Sequence, residues 1–191
     1  MKARDLILLG AVGAGAAVVA DRWLEGLVAR GEGPDPVVRM AAPINAPIAA
    51  VWDEISNVER QPLWMSEMKA FRILTPGPIG VGTRGEADVR VFLIGIVDPV
   101  EISEFEPPVR FAIRHVGHFA GEGRITLEAI DTGRTLVHWE ERLVPPIFPT
   151  LGQVLQKAIL GGIFQADLER LREIVETSWA EATAPAVADA G

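Results

Sequence analysis

The chain contains no cysteine and no tyrosine. Without thiols there is no disulfide framework, no thiolate nucleophile and no cysteine-ligated zinc or iron–sulfur site. Without a phenol there is no tyrosine acid/base chemistry. Positive charge is in the minority: 18 Lys and Arg stand against 26 Asp and Glu, a formal net charge of -8. A nucleic-acid partner calls for a basic face that neutralises phosphates, so none is expected. Docking on anionic lipid through charge alone is excluded on the same ground. A full-length membrane-crossing run is also missing. Leu6 to Ala20 is fifteen residues without a charge, closed by Asp21, Arg22 and Glu25. Fifteen helical residues cover roughly 22 Å, short of the ~30 Å hydrocarbon core. What is present suits a packed fold. Apolar residues make up 49% of 191, enough for one domain with appendages.

The N-terminal run admits three readings. An anchor helix over residues 1–30 would use the small residues Gly10, Gly13 and Gly15 for close contact and place the protein at a membrane through residues 6–20. A signal peptide would use Lys2 and Arg4 as its basic start and be removed, giving an exported protein. The third reading is a helix lying along its own domain or a membrane surface, and a cytoplasmic protein is the remaining alternative. Membrane association is the expectation, with the other two as alternatives. Residues 31–36, Gly-Glu-Gly-Pro-Asp-Pro, read as a linker. The folded domain is expected over residues 37–180. Residues 181–191, rich in Ala and lacking a hydrophobic pattern, read as a disordered tail.

Within the domain, Val37–Ala42 reads as a strand broken by Pro43 to Pro47. Ile48, Val51, Trp52 and Ile55 follow at helical spacing, and a second short helical turn fits Val58–Leu63. Met68–Leu74 is a strand candidate. Ala87, Val89 and Val91 then alternate with Asp88 and Arg90, the mark of a half-buried strand. Ile96–Phe105 is a further strand. Phe111, Ile113 and His115 share one parity, as do Gly123, Ile125 and Leu127, and then Val137, Trp139, Glu141 and Leu143. Asp131-Thr132-Gly133-Arg134 is a tight hairpin connection. Last comes a helix whose stripe runs Phe164, Leu168, Leu171, Val175 and Trp179, with Asp167, Glu169 and Arg170 on its other faces. Gly161-Gly162 is a candidate bend. The predicted class is α+β: a curved antiparallel sheet gripping a long C-terminal helix, preceded by an N-terminal hydrophobic helix. A sheet curled round one helix leaves an apolar hollow between them. Its expected lining is Val89, Phe111, Ile113, Leu127, Val137, Trp139, Phe164 and Leu168.

These elements resemble a known superfamily. Ala46-Pro47 before Val51-Trp52, the Gly80-Val81-Gly82-Thr83-Arg84 turn, Glu104-Phe105-Glu106-Pro107-Pro108, and Gly133-Arg134-Thr135 before Trp139 are similar to the START-related (SRPBCC) helix-grip fold. Within it the chain resembles the polyketide cyclase/dehydrase group, which includes coenzyme-Q-binding lipid chaperones. The likeness spans roughly residues 37 to 180. It implies a hydrophobic-ligand cavity under the long helix, holding a lipid, quinone or polyketide.

Two polar residues share the inward parity. His115 would offer a hydrogen bond to a ligand carbonyl or a proton near neutral pH. Glu141, inside an apolar hollow, would have a raised pKa suited to a general acid. Both are candidate catalytic residues, and both also fit structural roles as paired polar groups. Gly80-x-Gly82-x-x-Gly85 matches a dinucleotide fingerprint as a string, but it opens a strand rather than a helix, so no nucleotide cofactor is expected. His115 and His118 point to opposite faces of a strand and give no metal site. Ser56, Ser66 and Ser103 sit in no nucleophile-elbow context. The leading expectation is a binding module for an apolar small molecule. A cyclase/dehydrase acting in the same hollow, and a non-catalytic regulatory or interaction protein, are the alternatives.

Overall fold

The chain order of the elements follows directly from the alternation just described. The structure is a computed structural model that describes residues 3–91 and 93–184. Its helices are α1 (Ala3–Ala29), α2 (Ile48–Ser56) and α3 (Pro149–Thr183), with one 3₁₀ turn at Gln61–Leu63. Its strands are β1 (Val38–Ile44), β2 (Met68–Ile73), β3 (Arg84–Val91), β4 (Ile94–Glu106), β5 (Arg110–Val116), β6 (Ala120–Asp131) and β7 (Arg134–Val144). All pair antiparallel in one curled sheet, ordered β1-β7-β6-β5-β4-β3-β2. This is the expected helix-grip: a seven-stranded half-barrel with the long helix on its concave face.

Three local expectations change. β1 does not end before Pro43 but continues through it to Ile44, with Pro43 opposite Leu136. β1 is an edge strand, so the missing proline N–H interrupts no inner ladder. α3 runs uninterrupted through Gly161-Gly162 and continues to Thr183. Glu181, Ala182 and Thr183 therefore belong to the helix rather than to a disordered tail, and Thr183 Oγ1 donates back to the Trp179 carbonyl at 2.8 Å. Residues 185–191 lie outside the described residues. The Gly80–Thr83 segment is a turn closed on itself: Thr83 N–H donates to the Gly80 carbonyl, Gly80 N–H donates to Thr83 Oγ1, and Gly82 takes φ 85°.

The core fills one end of the half-barrel. Trp52 meets Phe105 edge-on at 5.2 Å between ring centroids, and Phe105 meets Phe111 at 6.3 Å. Val51, Ile55, Leu127, Val137, Leu168, Leu171 and Val175 pack around them.

Helix α1 is fastened to the N-terminus of α3. The Asp21 carboxylate accepts from the Thr150 and Leu151 backbone N–H groups at 2.8 and 2.7 Å. Those N–H groups have no partner within their own helix, and a carboxylate there also meets the positive end of the helix dipole. Asp21 is only 8% exposed. The residue that closes the apolar run in the sequence is thus a cap supplied by a distant helix. Among the described residues, no helix is long and apolar enough to cross a membrane.

Replacing Asp21 by Ala should remove about 1 kcal/mol of stability, the usual worth of an N-cap. It should also free α1, so that limited proteolysis cuts between α1 and β1 faster than in the wild type. Equal cleavage rates would show that α1 is held by other contacts.

Candidate functional site

The inner face of the sheet is laid out in rows across β5, β6 and β7. Phe111 stands beside Ile125, and Ile125 beside Trp139. The next row is Ile113, Gly123 and Glu141; the next is His115, Gly121 and Leu143. Rows one and two steps from the packed end therefore have glycine in the middle. A Cβ on Gly123 would overlap the Glu141 carboxylate, and one on Gly121 would overlap the Arg142 carbonyl. Gly121 also takes φ 139°, a conformation other residues rarely adopt. The central strand is bare where its neighbours carry large side chains, and a hollow opens there.

The hollow has a volume of about 330 Å³. Val89, Ile113, Trp139 and Phe164 line it as the sequence predicts, and so do His115 and Glu141. Phe111, Leu127, Val137 and Leu168 do not line it. They are buried in the closed end, in one core cluster with Val51 and Ile55 of α2 and Leu171 and Val175 of α3. Alternation tells which face a residue is on, not how far along the strand the core is filled. Trp139 marks the border, stacked at 5.0 Å on Phe164 and edge-on at 5.9 Å to Trp64.

His115 bridges three strands. Its Nδ1–H donates to Asp98 Oδ2 on β4 at 2.5 Å, and its Nε2–H donates to Glu141 Oε1 on β7 at 3.1 Å. The second bond passes over β6 where Gly121 and Gly123 leave room. Trp139 Nε1–H donates to the other Glu141 oxygen at 3.1 Å. Burial by itself favours the neutral ring, but the hydrogen bonds to Asp98 and Glu141 and their charges outweigh it, and the His115 pKa is pushed up to about 9. The ring is an imidazolium at neutral pH with both N–H groups engaged. It is not poised as a base there.

Asp98 is missing from the sequence-predicted site although a signal existed. It shares parity with Ile96, Val100 and Ile102 on an alternating strand, and a charge at such a position needs a partner. Glu67 is a second lining residue that the sequence pattern does not mark, because it lies in the irregular segment before β2. It faces Asp167 of α3, which is fully buried (0% exposed) rather than on a solvated helix face. Asp167 lies three residues after Phe164 and four before Leu171, hence on the flank of the apolar stripe. Its Oδ1 accepts from Ser66 N–H at 3.0 Å and from Arg170 Nη1 at 2.9 Å. Burial, then the hydrogen bond and charge of Asp167, push the Glu67 pKa up to about 8. Glu67 therefore keeps its proton at neutral pH and shares it with the Asp167 carboxylate.

A curled sheet, a gripping helix and an apolar hollow with a few internally paired polar groups define a helix-grip protein of the ligand-binding class. The chain belongs to the polyketide cyclase / dehydrase and lipid transport family, which it matches over residues 35–176. Solved structures share the fold. Zhui aromatase/cyclase from Streptomyces sp. R1128 is 16% identical with a TM-score of 0.64, covering 78% of this chain and 98% of its own. A protein from Thermus thermophilus is 21% identical with a TM-score of 0.61, covering 75% and 99%. A START superfamily protein from Mycobacterium smegmatis is 18% identical with a TM-score of 0.55, covering 77% and 99%. No curated protein matches the sequence.

Two outcomes follow from the bridge and the shared proton. Glu67 and His115 bind protons more tightly folded than unfolded, at about 8 against 4.5 and about 9 against 6.5. Their stabilisation is complete below the unfolded values and is lost as pH rises through the folded ones. The unfolding free energy from urea titrations should therefore fall between pH 4.5 and about 9, and Glu67→Gln should flatten the lower part of that fall. A wild-type curve level across that window would contradict both assignments. Separately, Gly123→Ala should push the Glu141 carboxylate aside and lower the His115 pKa towards 6.5, read from its imidazole resonances by NMR. An unchanged titration would show that the bridge does not need the bare strand.

Proposed function

We propose that the protein binds and carries an apolar small molecule of lipid, quinone or polyketide-like character in the hollow between sheet and α3. The observation that supports this most is the hollow itself: about 330 Å³ walled by apolar side chains, at the small end of known ligand sites. A guest burying on the order of 300 Å² of apolar surface gains about 7 kcal/mol before association costs, with no charged anchor.

Membrane association through residues 6–20 belongs to the same reading. Val19 and Trp23 of α1 are 69% and 63% exposed. Leu93, at the tip of the β3–β4 hairpin, is fully exposed, and the flanking residues Val91 and Ile96 line the hollow. Turn tips ordinarily carry Gly, Asn or Asp, so a fully exposed leucine is unusual for a tip in water.

A second reading, cyclisation or dehydration of the guest, is favoured by Glu67. It reaches the hollow with its proton in place at neutral pH, which is the state a general acid needs. Glu67→Gln keeps the shape and removes the acid, so turnover would fall about a hundredfold or more with ligand affinity little changed.

Native mass spectrometry of gently extracted protein tests carriage: a co-purifying apolar molecule is expected, and repeated isolation without any guest, from the protein's own host, would count against it. For the membrane, the full chain should float with phosphatidylcholine vesicles, and Val18→Asp with Val19→Asp should return it to the soluble fraction. A wild-type chain that never floats would refute the association.

A further inference from the structure

The wall of the hollow holds little positive charge, and what it holds is occupied. Among the described lining residues, His115 is the only cationic side chain, and both its N–H groups are taken by Asp98 and Glu141. These three groups leave one negative charge in excess. Glu67 keeps its proton and adds none, while Asp167 behind it is opposed by Arg170 at 2.9 Å. The nearby bases are engaged elsewhere. Lys157 donates to the Asp35 carbonyl at 2.9 Å, Arg142 to Gln153 Oε1 at 3.3 Å, and Arg170 also to the Trp64 carbonyl at 3.2 Å. None of the three lines the hollow.

Two lining side-chain oxygens, Asp98 Oδ1 and Gln156 Oε1, are buried without a partner. The unpartnered Trp64 Nε1 belongs to a residue outside the lining. A carboxylate or phosphate placed inside would shed its hydration, find no unpaired cationic side chain among the described lining residues, and face an excess of negative charge through a low-dielectric wall. A hydroxyl, a ketone or a bare hydrocarbon would meet none of these penalties to the same degree.

We propose that the hollow takes uncharged apolar guests and excludes their carboxylate and phosphate counterparts, so that free fatty acids and other anionic amphiphiles are not its cargo. This rests on the carrier reading above and narrows it.

The test uses the full chain and two probes with one skeleton, 1-naphthalenemethanol and 1-naphthoic acid, by isothermal titration calorimetry. At about pH 7.5, where the acid is a carboxylate, the alcohol should bind at least about tenfold more tightly. The apparent affinity of the acid should rise by about tenfold per pH unit on going down to about pH 5.5, because only its neutral form enters. A gap under tenfold, or an affinity for the acid that does not change with pH, overturns the proposal. If neither probe binds, the carrier reading fails first and takes this one with it. Asp98→Asn removes the excess negative charge at nearly constant shape. It should narrow the gap severalfold while leaving the alcohol's affinity within about threefold. A gap that Asp98→Asn leaves unchanged overturns the part assigned to the His115 cluster.

Discussion

The hydrogen bond from His115 to Glu141 joins β5 to β7 across a strand that lies between them. Two strand spacings separate such partners, roughly 10 Å between backbones, so their side chains can meet only if the middle strand has none in the way. Gly121 and Gly123 satisfy that condition. The same absence of side chains that admits the bridge also creates the hollow, because the concave face is left unfilled at those rows. Bridge and hollow are two consequences of one pair of glycines. Asp98 completes the arrangement from β4, so that one imidazolium ties together three strands on the concave face of the sheet.

Charges inside an apolar wall are costly unless each is matched. Here the matching is nearly complete: imidazolium between two carboxylates, indole on the second carboxylate, a protonated carboxyl against a third carboxylate, and that carboxylate on an arginine and a backbone N–H. Completeness of pairing is what makes the polar groups part of the scaffold. Glu67 joins them by holding its proton against Asp167 at neutral pH. The family to which the chain belongs spans cyclases, dehydrases and lipid transporters, and the balance between binding and chemistry within such a hollow turns on whether a proton can be moved.

The N-terminal helix is integrated with this end of the molecule. Asp21 caps α3 five residues before Gln156, and Gln156, Ile159 and Leu160 form part of the lining. Docking of α1 and the position of the lining segment of α3 are therefore mechanically linked through the first turn of that helix.

Alternation and the 3.6-residue stripe in the sequence were enough for the strands, the long helix and their antiparallel, helix-grip arrangement, because burial of one face per element has few solutions. The inward direction of His115, Glu141 and Trp139 was legible for the same reason. Period two carries no information about depth along a strand, so Phe111, Leu127, Val137 and Leu168 could not be told from true lining residues. Nor could the partners of His115 be read: Asp98 is 17 residues away, Glu141 is 26, and only register brings them together. The sequence by itself determined which residues face inward, since that depends on local geometry. The tertiary structure alone decided which of them enclose space, which hold a proton and which helix receives Asp21, since those depend on what stands opposite once the sheet has curled.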